Sequence, residues 1–243
     1  GDIVRLTEAD QPRMAEVERK VLRHGNLDRG PYVWARIFAP GFKQTQALGV
    51  SFDGALEGYL VLRAEQVASP PFQDLHVTDI AAATPRAARR LLSFLAEHRS
   101  LAQHIHLNAG PDDPLLGMLP EPKYHQELVE PWMLRVLDVQ STLQSRGFAV
   151  ERRLSFGIEV EDPVCPDHAG RYTVTVEEGR AQVERGGSGP ALRAPVQALA
   201  PLFTGFRSAS TLARMGALEG DPEALAAADR AFLGPMPVMK DMF

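Results

Sequence analysis

The sequence predicts an α/β domain over residues 1–130 followed by an α+β domain over residues 131–243. Three observations carry this division. Strand-like and helix-like periodicities alternate from Ile3 to Leu119, the pattern of an α/β layer structure. From Leu154 onward a group of short strands gives way to a group of helices, which is the α+β order. Between the two lies Pro131–Phe148, PWMLRVLDVQSTLQSRGF, which reads as the opening of the second domain.

In the first domain Ile3–Leu6 is a short strand, and Asp10–Arg23 carries Met14, Val17, Val21 and Leu22 at helical spacing before Gly25. Pro31 starts a short aromatic helix with Tyr32, Trp34, Ile37 and Phe38, closed by Pro40 and Gly41. Gln46–Phe52 and Leu56–Glu65 are strands joined across Asp53-Gly54, a strong hairpin signal. Leu75–Ala83 is the next strand. Thr84 then caps, and Pro85 begins, a helix running to about Arg99. Its core face is Ala88, Leu91, Leu92 and Leu95, while Arg86, Arg89, Arg90, Glu97 and Arg99 form a solvated face. Ile105–Leu107 is a further strand and Asp112–Leu119 a short helix.

Trp132–Val139 is apolar apart from Arg135 and Asp138, as suits a strand buried on both faces. Asp138 caps the helix that follows, Gly147 offers a left-handed residue to end it, and Phe148 packs back on its last turn. A buried Arg135 requires a partner. Either a salt bridge between the domains or a substrate-facing role meets that need. Strands are then predicted at Leu154–Val160, Tyr172–Val176 and Ala181–Glu184, the last two turning at Glu178-Gly179, with Leu192–Ala194 as a short edge strand. Helices follow at Pro195–Phe203, Ser210–Met215 and Pro222–Phe232. The apolar, proline-stiffened tail 234–243 is unlike a frayed terminus and is expected to dock.

Composition narrows the class of function. A net charge of −5 argues against nucleic acid and against anionic membrane surfaces as partners. The apolar runs fall far short of a membrane span, and no signal peptide is recognisable. The single cysteine, Cys165, excludes an internal disulfide and fits a reducing cytoplasm. The chain begins with Gly and strand-like sequence, which hints at a trimmed or partial chain. His104 and His106 share a strand face as two metal ligands do, but no third ligand lies nearby in sequence, so surface histidines are preferred and no metal is expected. Cys165 and His168 have C-x-x-H spacing in a proline-rich loop that lacks further zinc ligands. No Gly-x-Ser-x-Gly supports a serine hydrolase.

The element order of the first domain resembles the GNAT N-acetyltransferase fold, a mixed sheet with helices on both faces. The stretches WMLRVLDVQSTLQSRGF (132–148), DPVCPDHAGRYTV (162–174), ALRAPVQALAPLFTGFRSASTLARMG (191–216), DPEALAAADRAF (221–232) and the terminal Phe243 resemble the Enhanced intracellular survival (Eis) type of acetyltransferase. That resemblance implies three modules: a catalytic GNAT domain, a degenerate GNAT domain and a sterol-carrier-protein-like α+β domain. This chain corresponds to the last two, so the catalytic domain is expected outside it and the chain alone is expected to be inactive. In the GNAT pattern a glycine-bearing loop cradles the acetyl-CoA pyrophosphate at a helix start. The matching stretch here, 81–88 (AAATPRAA), has no glycine and loses a donor at Pro85, so acetyl-CoA would bind in the absent domain and no cofactor-binding residue is expected in this chain.

The resemblance also implies acetyl transfer to amines of small polycationic substrates, aminoglycoside-like or lysine-like. The terminal carboxylate, here that of Phe243, would reach into the active site. With an ordinary pKa of about 3.3–3.7 against roughly 10 for an ammonium, it is suited to orienting and neutralising the amine rather than abstracting its proton. A tyrosine of the absent domain would be the general acid. Trp132, Arg135 and Asp138 would line the cleft, and Asp241 stands one position before the place where some relatives carry an acidic residue. Homo-oligomers are implied as well. The alternative reading is a non-enzymatic carrier of an apolar ligand or a structural module, which would require a continuous apolar tunnel in the second domain.

Overall fold

The computed structural model describes residues 1–38, 45–67, 70–129 and 131–241. Pro40, Gly41 and Phe243, named above, and the predicted boundary residue 130 lie outside the described residues. The chain forms two compact units. One comprises residues 1–127 together with the tail from Val238 onward, and the other comprises residues 128–237. The predicted boundary at 130/131 placed the whole tail in the second domain; by contacts, residues 234–237 group with the second unit and 238–241 with the first.

The first unit is a five-stranded sheet in sequence order: β1 (Asp2–Leu6), β2 (Gln46–Phe52), β3 (Ala55–Gln66), β4 (Gln73–Ala82) and β5 (Ala102–Leu107). All neighbours are antiparallel except β4 and β5. Asp53 and Gly54 both take positive φ (52° and 81°), so the β2–β3 connection twists as a two-residue hairpin requires. Helices α1 (Gln11–Arg19) and α2 (Pro31–Phe38) cover one face, where Met14, Val17 and Trp34 meet Tyr59, Val61 and Ala81. Helix α3 (Pro85–Glu97) covers the other, where Ala87, Leu91 and Leu95 meet Leu60, Leu62, Val77 and Ile80. The core face of α3 thus includes Ala87, while Leu92 is half-buried. Thr84 Oγ1 accepts a hydrogen bond from Ala87 N and Pro85 occupies the first turn, the start that the sequence encodes. The helix expected over Asp112–Leu119 shrinks to one 3₁₀ turn at Leu116–Met118, since Pro114 and Gly117 both interrupt regular α-helix.

A register shift in the β3–β4 ladder determines what faces α1. Val61 pairs with Asp79 and Leu62 with Val77, so Thr78 is an extra residue. Without it Val77 and Asp79 would share a face. With it, Val77 points toward α3 and Asp79 joins Tyr59 beneath α1.

In the second unit the sheet order is β10-β9-β6-β7-β8. In chain order its elements are α4 (Val139–Ser145), β6 (Leu154–Glu161), β7 (Gly170–Glu177), β8 (Arg180–Arg185), β9 (Ala191–Pro195), α5 (Val196–Phe203), α6 (Ala209–Arg214), β10 (Glu219–Gly220) and α7 (Pro222–Ala231). One core gathers Val139, Phe156, Ile158, Val174, Leu192, Leu202, Ala228 and Phe232. Three expectations fail here. Strand β9 is interior, parallel to β6 on one side and antiparallel to the two-residue β10 on the other. Residues 132–138 form no strand. Val136 is buried, but Met133 is 93% exposed and Leu137 62% exposed, so the run packs through single side chains and joins no sheet. Helix α4 ends with Arg146 already extended (φ −74°, ψ 140°), which leaves the predicted left-handed Gly147 cap unused.

Gly58, on β3, sits where α3 crosses the sheet. A Cβ there would lie 3.1 Å from Ala87 Cβ and 3.2 Å from the Ala81 carbonyl oxygen. Gly58→Val is therefore expected to overpack this contact and cost about 1–3 kcal/mol of stability, read from urea unfolding of the chain.

Candidate functional site

The most heavily buried polar constellation lies in the first unit and centres on Arg29, in the loop between α1 and α2, whose side chain is 2% exposed. Two carboxylates grip its guanidinium. Asp79 accepts from Nη1 (2.7 Å) and Nη2 (2.9 Å), and Asp241 accepts from Nε (2.9 Å) and lies 2.8 Å from Nη2. Tyr59 Oη accepts from Nη1 at 3.3 Å and donates to Asp79 at 2.9 Å. Glu18 approaches Nε at 3.9 Å, and the Trp34 ring lies 5.1 Å from the guanidinium carbon. Such paired forks are the geometry that makes a buried guanidinium tolerable. Burial disfavours its charge, but the hydrogen bonds it donates to Asp79 and Asp241 outweigh burial and hold its pKa above the ordinary value. Burial raises Glu18, partly offset by Arg29, and burial together with Asp79 raises Tyr59.

The tail reaches this cluster through specific contacts. Val238 N donates to the His24 carbonyl (2.9 Å), and Asn26 Nδ2 donates to the Val238 carbonyl (2.7 Å). The Val238 side chain is buried against Gly110, where a Cβ would come within 2.5 Å of it. Lys240 Nζ donates to the Ile80 carbonyl at 3.3 Å. Beside the cluster a cleft of about 340 Å³ opens between α1 and the following loop, lined by Glu16, Glu18, Asp28, Arg19, Arg29 and Trp34.

The predicted site residues fall as follows. Asp241 is in the first unit with its carboxylate spent on Arg29, so it anchors the tail instead of presenting an open charge to an amine. Trp132, Arg135 and Asp138 are in the second unit. Arg135 Nη2 binds both oxygens of Asp162 (2.7 and 2.8 Å), whose Oδ1 also accepts from Val164 N and Cys165 N. The salt bridge is therefore internal to that unit and does not join the domains. Asp138 Oδ1 accepts from Ser141 N at 2.8 Å and caps α4. Trp132 is half-buried on the irregular segment. Phe243 is outside the described residues. Arg29, Tyr59 and Asp79 were missed from sequence, though a lone arginine in a loop between two amphipathic helices and an aspartate inside an apolar strand are the signals a reader could have weighed.

The start of α3 has its own anion. Glu57 accepts from Thr84 Oγ1 (2.7 Å) and from Arg86 Nε (2.8 Å), and Arg86 Nη2 bonds its second oxygen. The hydrogen bond from Arg86, then that from Thr84, hold its pKa down at about 2. Ala83 N is taken by the Glu57 carbonyl at 2.8 Å.

Residues 25–136 match the acetyltransferase (GNAT) domain family, and residues 139–240 match the sterol carrier protein domain family. The chain therefore consists of a GNAT fold, a mixed sheet with helices on both faces, followed by a sterol-carrier-protein-like domain. It is 28% identical over 198 residues to an uncharacterized N-acetyltransferase of Streptomyces griseus, covering 79% of this chain and 47% of that protein. Among solved structures it resembles a GCN5-related N-acetyltransferase from Anabaena variabilis (25% identity, TM-score 0.92) and Eis1 from Mycobacterium abscessus (25% identity, TM-score 0.77). Both similarities cover 100% of this chain, and 62% and 63% of those chains respectively. The chain thus spans about half the length of its curated relatives and under two thirds of these solved ones.

Acetyl-CoA, which the GNAT fold implies, does not fit the start of α3. Pro85 offers no N–H, Thr84 takes the Ala87 donor, and the Glu57 carboxylate stands where a phosphate would need positive potential. In the second unit the apolar cavity lined by Val136, Val139, Leu143, Leu199, Leu202 and Phe232 has a volume of about 10 Å³, room for a water and not for a lipid chain. No helix among the described residues is long and apolar enough to cross a membrane.

Two outcomes follow for the Arg29 cluster. Arg29→Met leaves Asp79 and Asp241 buried without a counter-charge and is expected to destabilise the chain by about 3–5 kcal/mol in chemical denaturation. Glu18 gives a pH signature. Because its folded pKa is raised above the ordinary 4.5, its contribution is full below that value and is lost as pH rises through the folded pKa. Glu18→Gln should therefore gain stability relative to the parent as pH rises from 4 to 8, with the two converging at the acid end.

Proposed function

We propose that this chain is the scaffold and amine-orienting part of an acetyl-CoA-dependent N-acetyltransferase whose acetyl donor is held by a further domain. Its substrates are amines of small polycationic molecules, aminoglycoside-like or lysine-like. The observation that carries the reading is the Arg29 clamp on the tail. A GNAT fold whose own helix start is closed by Glu57 spends its most buried cation on Asp241, two residues before the terminal carboxylate of Phe243. The similarity to longer N-acetyltransferases supports the existence of a separate donor-binding domain.

In this reading the Phe243 carboxylate holds and neutralises the substrate ammonium, and the anchor formed by Val238 and Asp241 fixes where that carboxylate is delivered. Glu16, Asp28 and Trp34 in the adjacent cleft supply the acidic and aromatic lining that a multiply charged amine requires. The chain alone is inactive, and the whole protein self-associates in the cytoplasm.

The test is acetyl transfer from acetyl-CoA to a panel of amines, using the protein as its gene encodes it beside chain 1–243. Each is assayed with and without one residue appended after Phe243. Transfer by the encoded protein alone, reduced at least tenfold by the appended residue, is expected. Transfer by chain 1–243, or its binding of acetyl-CoA, overturns the assignment of the donor to another domain. Activity indifferent to the appended residue overturns the role of the carboxylate.

A further inference from the structure

The open end of the first unit's sheet carries a polar array that the proposed acetyl transfer does not use. Strand β5 is an edge strand parallel to β4, with Leu75 opposite Ile105 and His76 opposite His106. His104 and His106, two residues apart, share one face of β5. The ladder is irregular between Gln73 and Leu75, and this irregularity brings Asp74 against His104. The backbone N of His104 donates to Asp74 Oδ1 at 3.1 Å and fixes the carboxylate.

We infer that Asp74, His104 and His106 form a binding site for a borderline divalent cation of the zinc type. Asp74 Oδ1 lies 3.1 Å from His104 Nδ1, Asp74 Oδ2 lies 3.4 Å from His106 Nε2, and all three ligand atoms fall within 4.8 Å of one another. A tetrahedral ion with bonds of about 2.0–2.2 Å needs ligand atoms about 3.3–3.6 Å apart, so small side-chain adjustments close the set. Two imidazoles and one carboxylate select zinc-like ions over magnesium or calcium, which prefer oxygen donors throughout. Asp74 is 20% exposed in its side chain and the histidines 69% and 52%, which leaves the remaining coordination positions to solvent.

Neighbouring groups orient the ligands. The His76 ring lies flat on that of His106, with centroids 4.5 Å apart and planes 14° apart. His76 Nε2 in turn lies 3.5 Å from Glu65 Oε2, and Glu65 is paired with Arg63. A stacked ring restricts rotation of His106 about its side-chain bonds, so part of the ordering needed for binding is already present.

The site is tested on tag-free chain 1–243 by titrating Zn²⁺ in a calorimeter and by recording the visible spectrum with Co²⁺. One Zn²⁺ per chain is expected, with Co²⁺ absorption of low-coordinate type and no competition from excess Mg²⁺. Asp74→Asn, and separately His104→Gln with His106→Gln, should weaken binding at least tenfold while the metal-free melting temperature stays within a few degrees of the parent. Because these are surface positions, their folding is checked by the same melts. Absence of stoichiometric Zn²⁺ binding by the parent chain overturns the site. Undiminished binding in both variants also overturns it, since the ion would then reside elsewhere.

Discussion

The buried guanidinium of Arg29 is the constraint on which the first unit depends. Taking an arginine out of water costs several kcal/mol, and only close ionic partners with satisfied hydrogen bonds offset that cost. Here the partners come from regions far apart in the chain. Asp79 comes from β4, Tyr59 from β3 and Asp241 from the tail. The cation therefore cannot be accommodated unless strand register, loop and tail are all in place. The register shift at Thr78 belongs to the same requirement, because it lets Val77 pack toward α3 while Asp79 faces Arg29. Gly110 serves it as well, since any side chain there would collide with Val238 and displace the tail.

A second internal charge substitutes for a ligand. The start of α3 has the orphan N–H groups and the partial positive charge that suit an anion. In this chain the anion is a residue of its own, Glu57, one hairpin away and pinned by Thr84 and Arg86. Thr84 in turn caps the Ala87 N–H, so the first turn is tied to this internal anion. The same logic governs the second unit, where Asp162 gathers Arg135 and the N–H groups of Val164 and Cys165 in one loop. Cys165 thus belongs to a carboxylate-centred loop, which gives the C-x-x-H spacing a structural explanation.

What the sequence revealed follows the range of the physics involved. Asp53-Gly54 and Glu178-Gly179 announced hairpins because positive φ at both positions is a local demand. Thr84-Pro85 and Asp138 announced helix starts for a similar reason. The GNAT and sterol-carrier-like order was legible from the succession of periodicities and from long matching motifs. The Trp132–Val139 run misled because hydrophobicity records a tendency to leave water and does not specify backbone pairing; here Val136 is buried while Met133 and Leu137 stay exposed. The partners of Arg29, Asp79 and Asp74 were not legible for the complementary reason. Their partners lie 30 to 212 residues away, and two of the three depend on a register shift that periodicity does not encode.

Asp241 shows how one residue type can serve two ends. From sequence, an acidic residue near the terminus reads as an amine recogniser. In the fold its carboxylate is saturated by two Arg29 nitrogens and is 10% exposed, so a substrate ammonium would have to displace a guanidinium that has nowhere else to go. Recognition by charge must then rest on groups that are not already committed. Glu16 and Asp28 line the neighbouring cleft, and Arg29 is neutralised by its own pair of carboxylates, which leaves Arg19 as the opposing charge there. Under the proposed function, an anchored tail beside an acidic, aromatic-walled cleft would divide the work, with positioning done by one carboxylate and attraction by others.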